Sequence, residues 1–402
     1  MRTLLLTLLF PALLAAQANT LTPEEASEGW ILLWDGQTDY GWEWHGDANW
    51  SFRDGVLKAE SGQYGWLGTT TVFGDFQLKL EFRTAADGNS GVFLRSAREG
   101  EPHRTGYELQ IYDNQPQGFN TGSLVFYEKA PPAKLIPDEW NQLDITVEGS
   151  HFVVVLNGET VLDANNPTHA AGVIGLQYNP GKPIEFRNIK LRPLNLEPLL
   201  SGGDLSGWRE VDRPERPGDD RWSIEDGVVH VEGGPGQLET EKEFRNLALQ
   251  LDIKTNPPSA DRHPNSGVFF RAEPGQFWSG YEIQIRNEYA GDAARPVDFG
   301  TGGVYFWQPA RRVVPADGEW FTETILAYGR HISTWVNGVQ VADYEDTKPE
   351  GANGRKQANL RRGVISLQAH DPTTDLDFRN LRAAEIPQRP VRLDACGCVD
   401  GR

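Results

Sequence analysis

Two short segments carry the side chains with the most chemical potential in this sequence, Gly106-Tyr107-Glu108-Leu109-Gln110-Ile111 and Gly280-Tyr281-Glu282-Ile283-Gln284-Ile285. Successive side chains of an extended strand point to opposite faces. Tyr107, Leu109 and Ile111 therefore form an apolar face, and Glu108 and Gln110 share the other. A carboxylate beside a carboxamide suits proton transfer, or hydrogen bonding to a polyhydroxylated ligand. Glu is a poor strand former, so something other than strand formation favours it at both places. The same alternation in Asn89-Ser90-Gly91-Val92-Phe93-Leu94-Arg95 sets Gly91, Phe93 and Arg95 opposite Val92 and Leu94. Its counterpart, Asn265 to Arg271, sets Phe269 and Arg271 outward. Gln177, and later Gln368 with His370, point the same way near the end of each set. If these strands are neighbours, one sheet face gathers Arg, Glu, Gln, Gln and an aromatic ring. The other reading makes Arg95–Glu108 and Arg271–Glu282 cross-strand surface ion pairs worth under about 1 kcal/mol.

The elements that must position these residues occur twice. Beyond the segments above, Trp50…Asp54-Gly55-Val56 pairs with Trp222…Asp226-Gly227-Val228, and Thr121-Gly122 with Thr301-Gly302. Glu139-Trp140, Asn157-Gly158 and Phe186-Arg187-Asn188 recur as Glu319-Trp320, Asn337-Gly338 and Phe378-Arg379-Asn380. The order is kept while the offset grows from 172 to 192, as loop insertions in the second copy require. A period this long marks two copies of one domain, 25–195 and 196–386, rather than a solenoid. The Pro-containing link Leu194 to Leu199 should separate two independently folding halves.

Each copy reads as β throughout. Phe76–Phe82 and Leu247–Ile253 alternate apolar and polar, and Asp-Gly and Asn-Gly pairs between such runs suit two-residue hairpins. The 43 Gly and 26 Pro fit a turn-rich chain. The expected fold is all-β, two tandem β-sandwich jelly rolls, with Trp50, Trp140, Trp222 and Trp320 in the cores. A net charge of −19 spread along the chain argues against nucleic acid as a partner. Two cysteines exclude a disulfide scaffold and a four-Cys metal site. Arg2, the apolar run Leu4–Leu14 and Ala16-Gln17-Ala18 read as a secretory signal over 1–18, so the mature chain is expected to be exported and soluble, periplasmic or extracellular, with no membrane span. The polar tail 387–402 holds Cys396-Gly397-Cys398, with local disulfide, intermolecular link, weak metal pair and unstructured end all open.

The run from Leu33-Trp34-Asp35-Gly36 through Asn89-Ser90-Gly91, Gly106-Tyr107-Glu108-Leu109-Gln110, Glu139-Trp140-Asn141, Leu156-Asn157-Gly158, Gly175-Leu176-Gln177 and Phe186-Arg187-Asn188-Ile189 resembles the 3-keto-disaccharide hydrolase domain family. The resemblance covers nearly all of the first copy and, more loosely, the second. It implies a concanavalin A-like jelly roll with a concave face, often exported, acting on sugars oxidised at C3. Such a carbonyl acidifies the C2 proton; a base removes it, the group at C1 leaves, and water adds back. The reaction needs a base, a donor to the enolate oxygen and an acid for the leaving group. The resemblance implies Glu108 or Asp113 as base and Arg95 as oxyanion donor. Asn89, Phe93, Gln110 and Gln177 would bind the sugar. In the second copy Glu282, Arg271 and His370 take the catalytic parts, with Asn265, Phe269, Gln284 and Gln368 binding. The family's Asp is kept as Asp113 but is Asn287 in the second copy; its His is kept as His370 but is Asn179 in the first. A lectin-like role, two glycan-binding sheets without reaction, stands beside the enzymatic one. Ordinary glycoside hydrolysis needs two carboxylates about 5 to 9 Å apart, and no second one shares the strand face. No cofactor is required by the sequence, no spacing specifies a metal, and the oligomeric state is open. The expected ligand is an oligosaccharide or glycoside.

Overall fold

The computed structural model describes residues 18–389 except 133–134, 201–202, 214, 216–217, 260 and 352–355. The expected leader up to residue 17, and Cys396 and Cys398, lie outside the described residues. Among the described residues the helices are single turns, Pro23–Ser27 and Pro102–Thr105, and strands make up the rest of the regular structure. No helix of the described residues is long and apolar enough to cross a membrane.

Each half is a β-sandwich of jelly-roll type, but the layers join differently. In the first half one 11-stranded sheet curls over itself. Strand Val56–Thr69 makes the turn between layers: Leu57–Ala59 pairs with Ile184–Phe186, and Gly65–Gly68 pairs with Gly175–Tyr178. In the second half the equivalent chain is cut into Val228–Glu232 and Gly236–Phe244 by Gly233-Gly234-Pro235. Proline brings no N–H to a ladder, and the half divides into an 8-stranded and a 5-stranded sheet.

The alternation predicted for the strands holds in the cores. Phe76, Leu78, Leu80 and Phe82 join Tyr107, Leu109 and Ile111 in one buried cluster, each large side chain contributing about 1.5–3 kcal/mol. The tryptophans divide. Trp50 is buried, and Trp222 packs half-buried against the second core. Trp140 and Trp320 lie at the surface of their sheets, where the guanidinium groups of Arg187 and Arg379 each stack 4.0 Å from the ring centroid.

The halves are not joined by a linker alone. Ala248, Leu326, Trp335 and Ile386 of the second half belong to the first half's apolar cluster. Beside them the Thr71 and Ser333 hydroxyls meet at 2.7 Å, and Asp343 accepts from Ser333 and Thr70, each at 2.8 Å. The first strand of that sheet, Ile31–Leu32, also crosses over, with the Trp335 indole N–H donating to Leu32 O at 3.0 Å. The expectation of independently folding halves thus meets a seam in which both halves share one apolar cluster. The chain enters the second half's sheet at Glu197–Pro198, which pairs with Arg382 and Ala383.

Candidate functional site

In the first half five strands present one polar face. Tyr107–Ile111, Ser90–Ser96, Val173–Tyr178 and Val56–Thr69 are neighbours in that order, and Trp42–Arg53 flanks the last. Register places Glu108 opposite Phe93, Gln110 opposite Gly91, Gly175 between Phe93 and Gly68, and Gln177 opposite Trp66. The predicted neighbours Glu108, Phe93, Gln110 and Gln177 are therefore brought together. Glycine is required on this floor. A Cβ on Gly175 would stand 2.8 Å from the Trp66 ring, and one on Gly91 3.0 Å from the Glu108 carboxylate. Their absence lets the Trp66 indole lie flat over the sheet, edge-on to Phe93 at 5.7 Å and stacked with His45 at 3.9 Å.

Glu108 is 8% exposed and accepts one side-chain hydrogen bond, from Gln177 Nε2 at 3.0 Å. Asn179 orients that amide by donating to Gln177 Oε1 at 2.8 Å and is itself bound to Asn89 O at 3.2 Å. Burial of the carboxyl outweighs its single neutral donor and pushes Glu108 up to about 7. Burial likewise raises the Tyr64 phenol to about 12, beside Gln177 and within the field of Glu108. It lowers His45, whose buried Nε2 has no hydrogen-bond partner among the described residues. The Gln110 Oε1 is buried and equally unpartnered there.

Three expected site residues, Arg95, Arg271 and Asp113, are elsewhere. Arg95 does not reach Glu108, as catalyst or as ion-pair partner. Its guanidinium donates to Gly74 O, Gly149 O, His169 O and the Asp75 carboxylate at 2.6–3.0 Å. Arg271 repeats this with Arg245 O, Gly329 O and Asn359 O at 2.7–3.0 Å. Both arginines have positive φ, +53° and +50°, and the ladder slips beside each. A bulge re-aims the side chain that simple alternation assigns to the face. Asp113 accepts from the Leu135 N–H at 3.0 Å and fastens a loop. Asn287 in its place bonds Thr255 and Thr301.

In the second half the order is Trp208–Asp212, Gly236–Phe244, Gly363–Ala369, Ser266–Ala272, Tyr281–Ile285. Glu282 stands opposite Phe269 and Gln284 opposite Gly267, so these predicted neighbours also meet. His370 binds Asp371 at 2.8 Å and Asn265 at 3.3 Å. The register reveals residues that reading single strands missed. Gln237 and Glu239 take the places of Trp66 and Gly68. Glu239, fully buried, accepts from Arg209 and from Gly275 N. It is the second carboxylate thought absent from this face, yet it stands three strands from Glu282, roughly 14 Å along the sheet. Tyr64, Trp66 and Glu239 were detectable only as i, i+2 partners on strands whose pairing is non-local. Among the described residues no group of three His, Cys, Asp or Glu side chains is arranged to hold a metal ion.

Fold and site together define a lectin-like β-sandwich class, with a buried carboxylate and amides set among aromatic rings on a sheet face. The chain belongs to the 3-keto-alpha-glucoside-1,2-lyase-like domain family, which matches residues 29–192 and again 195–384, so it holds two copies of the domain. A 3-keto-disaccharide hydrolase of Bacteroides thetaiotaomicron (strain ATCC 29148) is 27% identical over 185 residues, 38% of this chain. The chain spans 64% of that relative's length. Among solved structures, a candidate glycosyl hydrolase from Parabacteroides distasonis ATCC 8503 is 24% identical, with 44% of this chain and 100% of that chain covered and a TM-score of 0.41. The carbohydrate-binding module CBM66 from Bacillus subtilis is 16% identical, with 37% of this chain and 94% of that chain covered and a TM-score of 0.30.

Proposed function

We propose that the first half cleaves 3-keto-glycosides by elimination and rehydration, with Glu108 as the base. One observation carries the reading: a buried carboxyl held near 7 by burial, with a single neutral donor. A base with that pKa is substantially ionised at neutral pH and still basic enough to take an acidified C–H proton. In the reaction Glu108 removes the C2 proton of the bound sugar, and the C2–H electron pair forms the enolate of the C3 carbonyl. That enolate expels the C1 substituent, whose oxygen takes up a proton, leaving an enone. Water then adds at C1 while C2 regains a proton, so the sum is hydrolysis. With Arg95 committed elsewhere, the Tyr64 hydroxyl, beside Gln177 and within the field of Glu108, is the donor assigned to the enolate oxygen. Gln110, Gln177 and Asn89 orient hydroxyls, and Phe93 and Trp66 form the apolar floor. The family match and the 3-keto-disaccharide hydrolase relative support this substrate class.

The leader-like N-terminus supports export of the chain to the compartment where such sugars are met. The full chain incubated with 3-keto-trehalose, 3-keto-sucrose and an aryl 3-keto-glucoside is expected to release 3-keto-glucose from at least one. Unoxidised parents should remain intact. If no oxidised glycoside is cleaved, the assignment falls.

A further inference from the structure

The second half's face is built from different chemistry: the oxygen of Gln284 lacks a partner as that of Gln110 does, but here Gln368 and Ser366 join it and Asp298 holds the amide. Gln284 Oε1, Gln368 Oε1 and Ser366 Oγ are buried there, each residue 1% exposed, without a hydrogen-bond partner among the described residues. Buried polar atoms are seldom left so. At Gln284 the orientation is fixed: Nε2 donates to both Asp298 O and Asp298 Oδ2 at 3.0 Å, which leaves Oε1 as a buried acceptor without a donor among the described residues. In the first half Gly118 stands where Asp298 does, and Gln110 Oε1 is likewise without a partner among the described residues. An aromatic wall completes the site. Where the first half lays Trp66 on its own strand, the second supplies Trp278 from a loop. Gln237 Oε1 accepts from Trp278 N at 2.9 Å and Glu239 accepts from Gly275 N at 2.9 Å, pinning that loop to the sheet. The indole packs on Phe269, stacks with His370 at 5.3 Å, and keeps a buried N–H without a partner among the described residues.

The geometry points to a second saccharide site in the C-terminal half, one that takes an unoxidised pyranose and rejects a carbonyl at the position facing Gln284. A sugar hydroxyl donates to the locked acceptor and stacks a C–H face on Trp278. A ketone oxygen only accepts, and would leave both itself and Gln284 Oε1 buried without a donor. Sites that hydrogen-bond a substrate hydroxyl discriminate strongly against analogues lacking it. The two halves then divide the work, the C-terminal one holding intact glycan and the N-terminal one acting on oxidised sugar. The inference rests on the carbohydrate reading of these faces, not on the chemistry assigned to Glu108.

The test is calorimetric titration of the full chain with trehalose, sucrose, maltose and cellobiose, and with the 3-keto form of the best binder. At least one unoxidised sugar should bind, its 3-keto form about tenfold or more weaker at this site. Gln284→Ala and the smaller Ser366→Ala should each weaken binding by about tenfold with folding intact by thermal melt. Glu108→Gln should leave it unchanged, which separates this site from the first. Asp298→Gly removes the carboxylate contact to the amide, leaving only the backbone one, and should narrow the preference against the 3-keto form. The proposal is overturned if no sugar in the panel binds. It is equally overturned if Glu108→Gln abolishes binding while Gln284→Ala and Ser366→Ala keep it, or if Asp298→Gly leaves the preference unmoved. A parent chain that cleaves no 3-keto-glycoside, or a Glu108→Gln variant that cleaves as the parent does, would contradict the role of Glu108 and leave this site standing.

Discussion

Gln177 Nε2 lies 3.0 Å from Glu108 Oε1, donating to a carboxyl that burial has already pushed up to about 7. The bond favours the ionised form and burial the neutral one. Removing the donor with Gln177→Leu therefore leaves burial unopposed. The acid limb of the kcat/KM profile for a 3-keto-glycoside should move to higher pH. A profile that stays where it was would show that Glu108 is not the titrating group.

Glu323 sets a second pH dependence, on stability rather than activity. Its side chain is fully buried in the second half, and neither carboxylate oxygen has a partner among the described residues. Burial holds its pKa well above the usual carboxylate range. The folded state then keeps a proton that the unfolded chain releases above about 4.5. This contribution is fully present at lower pH and is lost as pH rises toward the folded pKa. The first half places Leu143 at this point, so Glu323→Leu is the natural replacement. It should stabilise the chain by about 1–3 kcal/mol near pH 7 and flatten the fall in stability between pH 5 and 8. Chemical denaturation across that range reads both.

Arg95 is now a structural prediction. Four acceptors, one of them the Asp75 carboxylate, surround a fully buried guanidinium. Arg95→Ala should cost roughly 3 kcal/mol by leaving Asp75 and three carbonyls without their donor. Unchanged melting with collapsed turnover would return Arg95 to the site.

The seam between the halves predicts the fate of a cut chain. Cleavage between Leu194 and Leu199 uncovers Leu326, Trp335 and Ile386, which sit in the first half's core. The fragments should co-elute on size exclusion, and the C-terminal fragment alone should melt lower than the whole. Two fragments that separate freely and keep the parental melt would make the shared cluster incidental.

Much of this was legible in the residues. The alternation in Tyr107–Ile111 sorts core from face because nothing interrupts that strand, and the repeated motifs reveal two copies of one fold. The alternation failed at Arg95 and Arg271, where a positive φ turns the side chain away and no local sequence signal distinguishes bulge from strand. Trp66 and Glu239 were invisible for another reason. Their membership of the site depends on which strands pair across more than a hundred residues, and register is not written in any one strand. The seam was hidden likewise, since Trp335 reads as an ordinary core residue of its own half.

The most direct test follows C2 of a 3-keto-glucoside in deuterated water, with parent and Glu108→Gln at matched folding. For the parent, product should carry deuterium at C2, and turnover should rise through an inflection near pH 7. For Glu108→Gln, incorporation and turnover should fall together by about 10²- to 10⁴-fold with little change in melting temperature. Turnover without exchange at C2, or a Glu108→Gln variant as active as the parent, would contradict proton abstraction by Glu108.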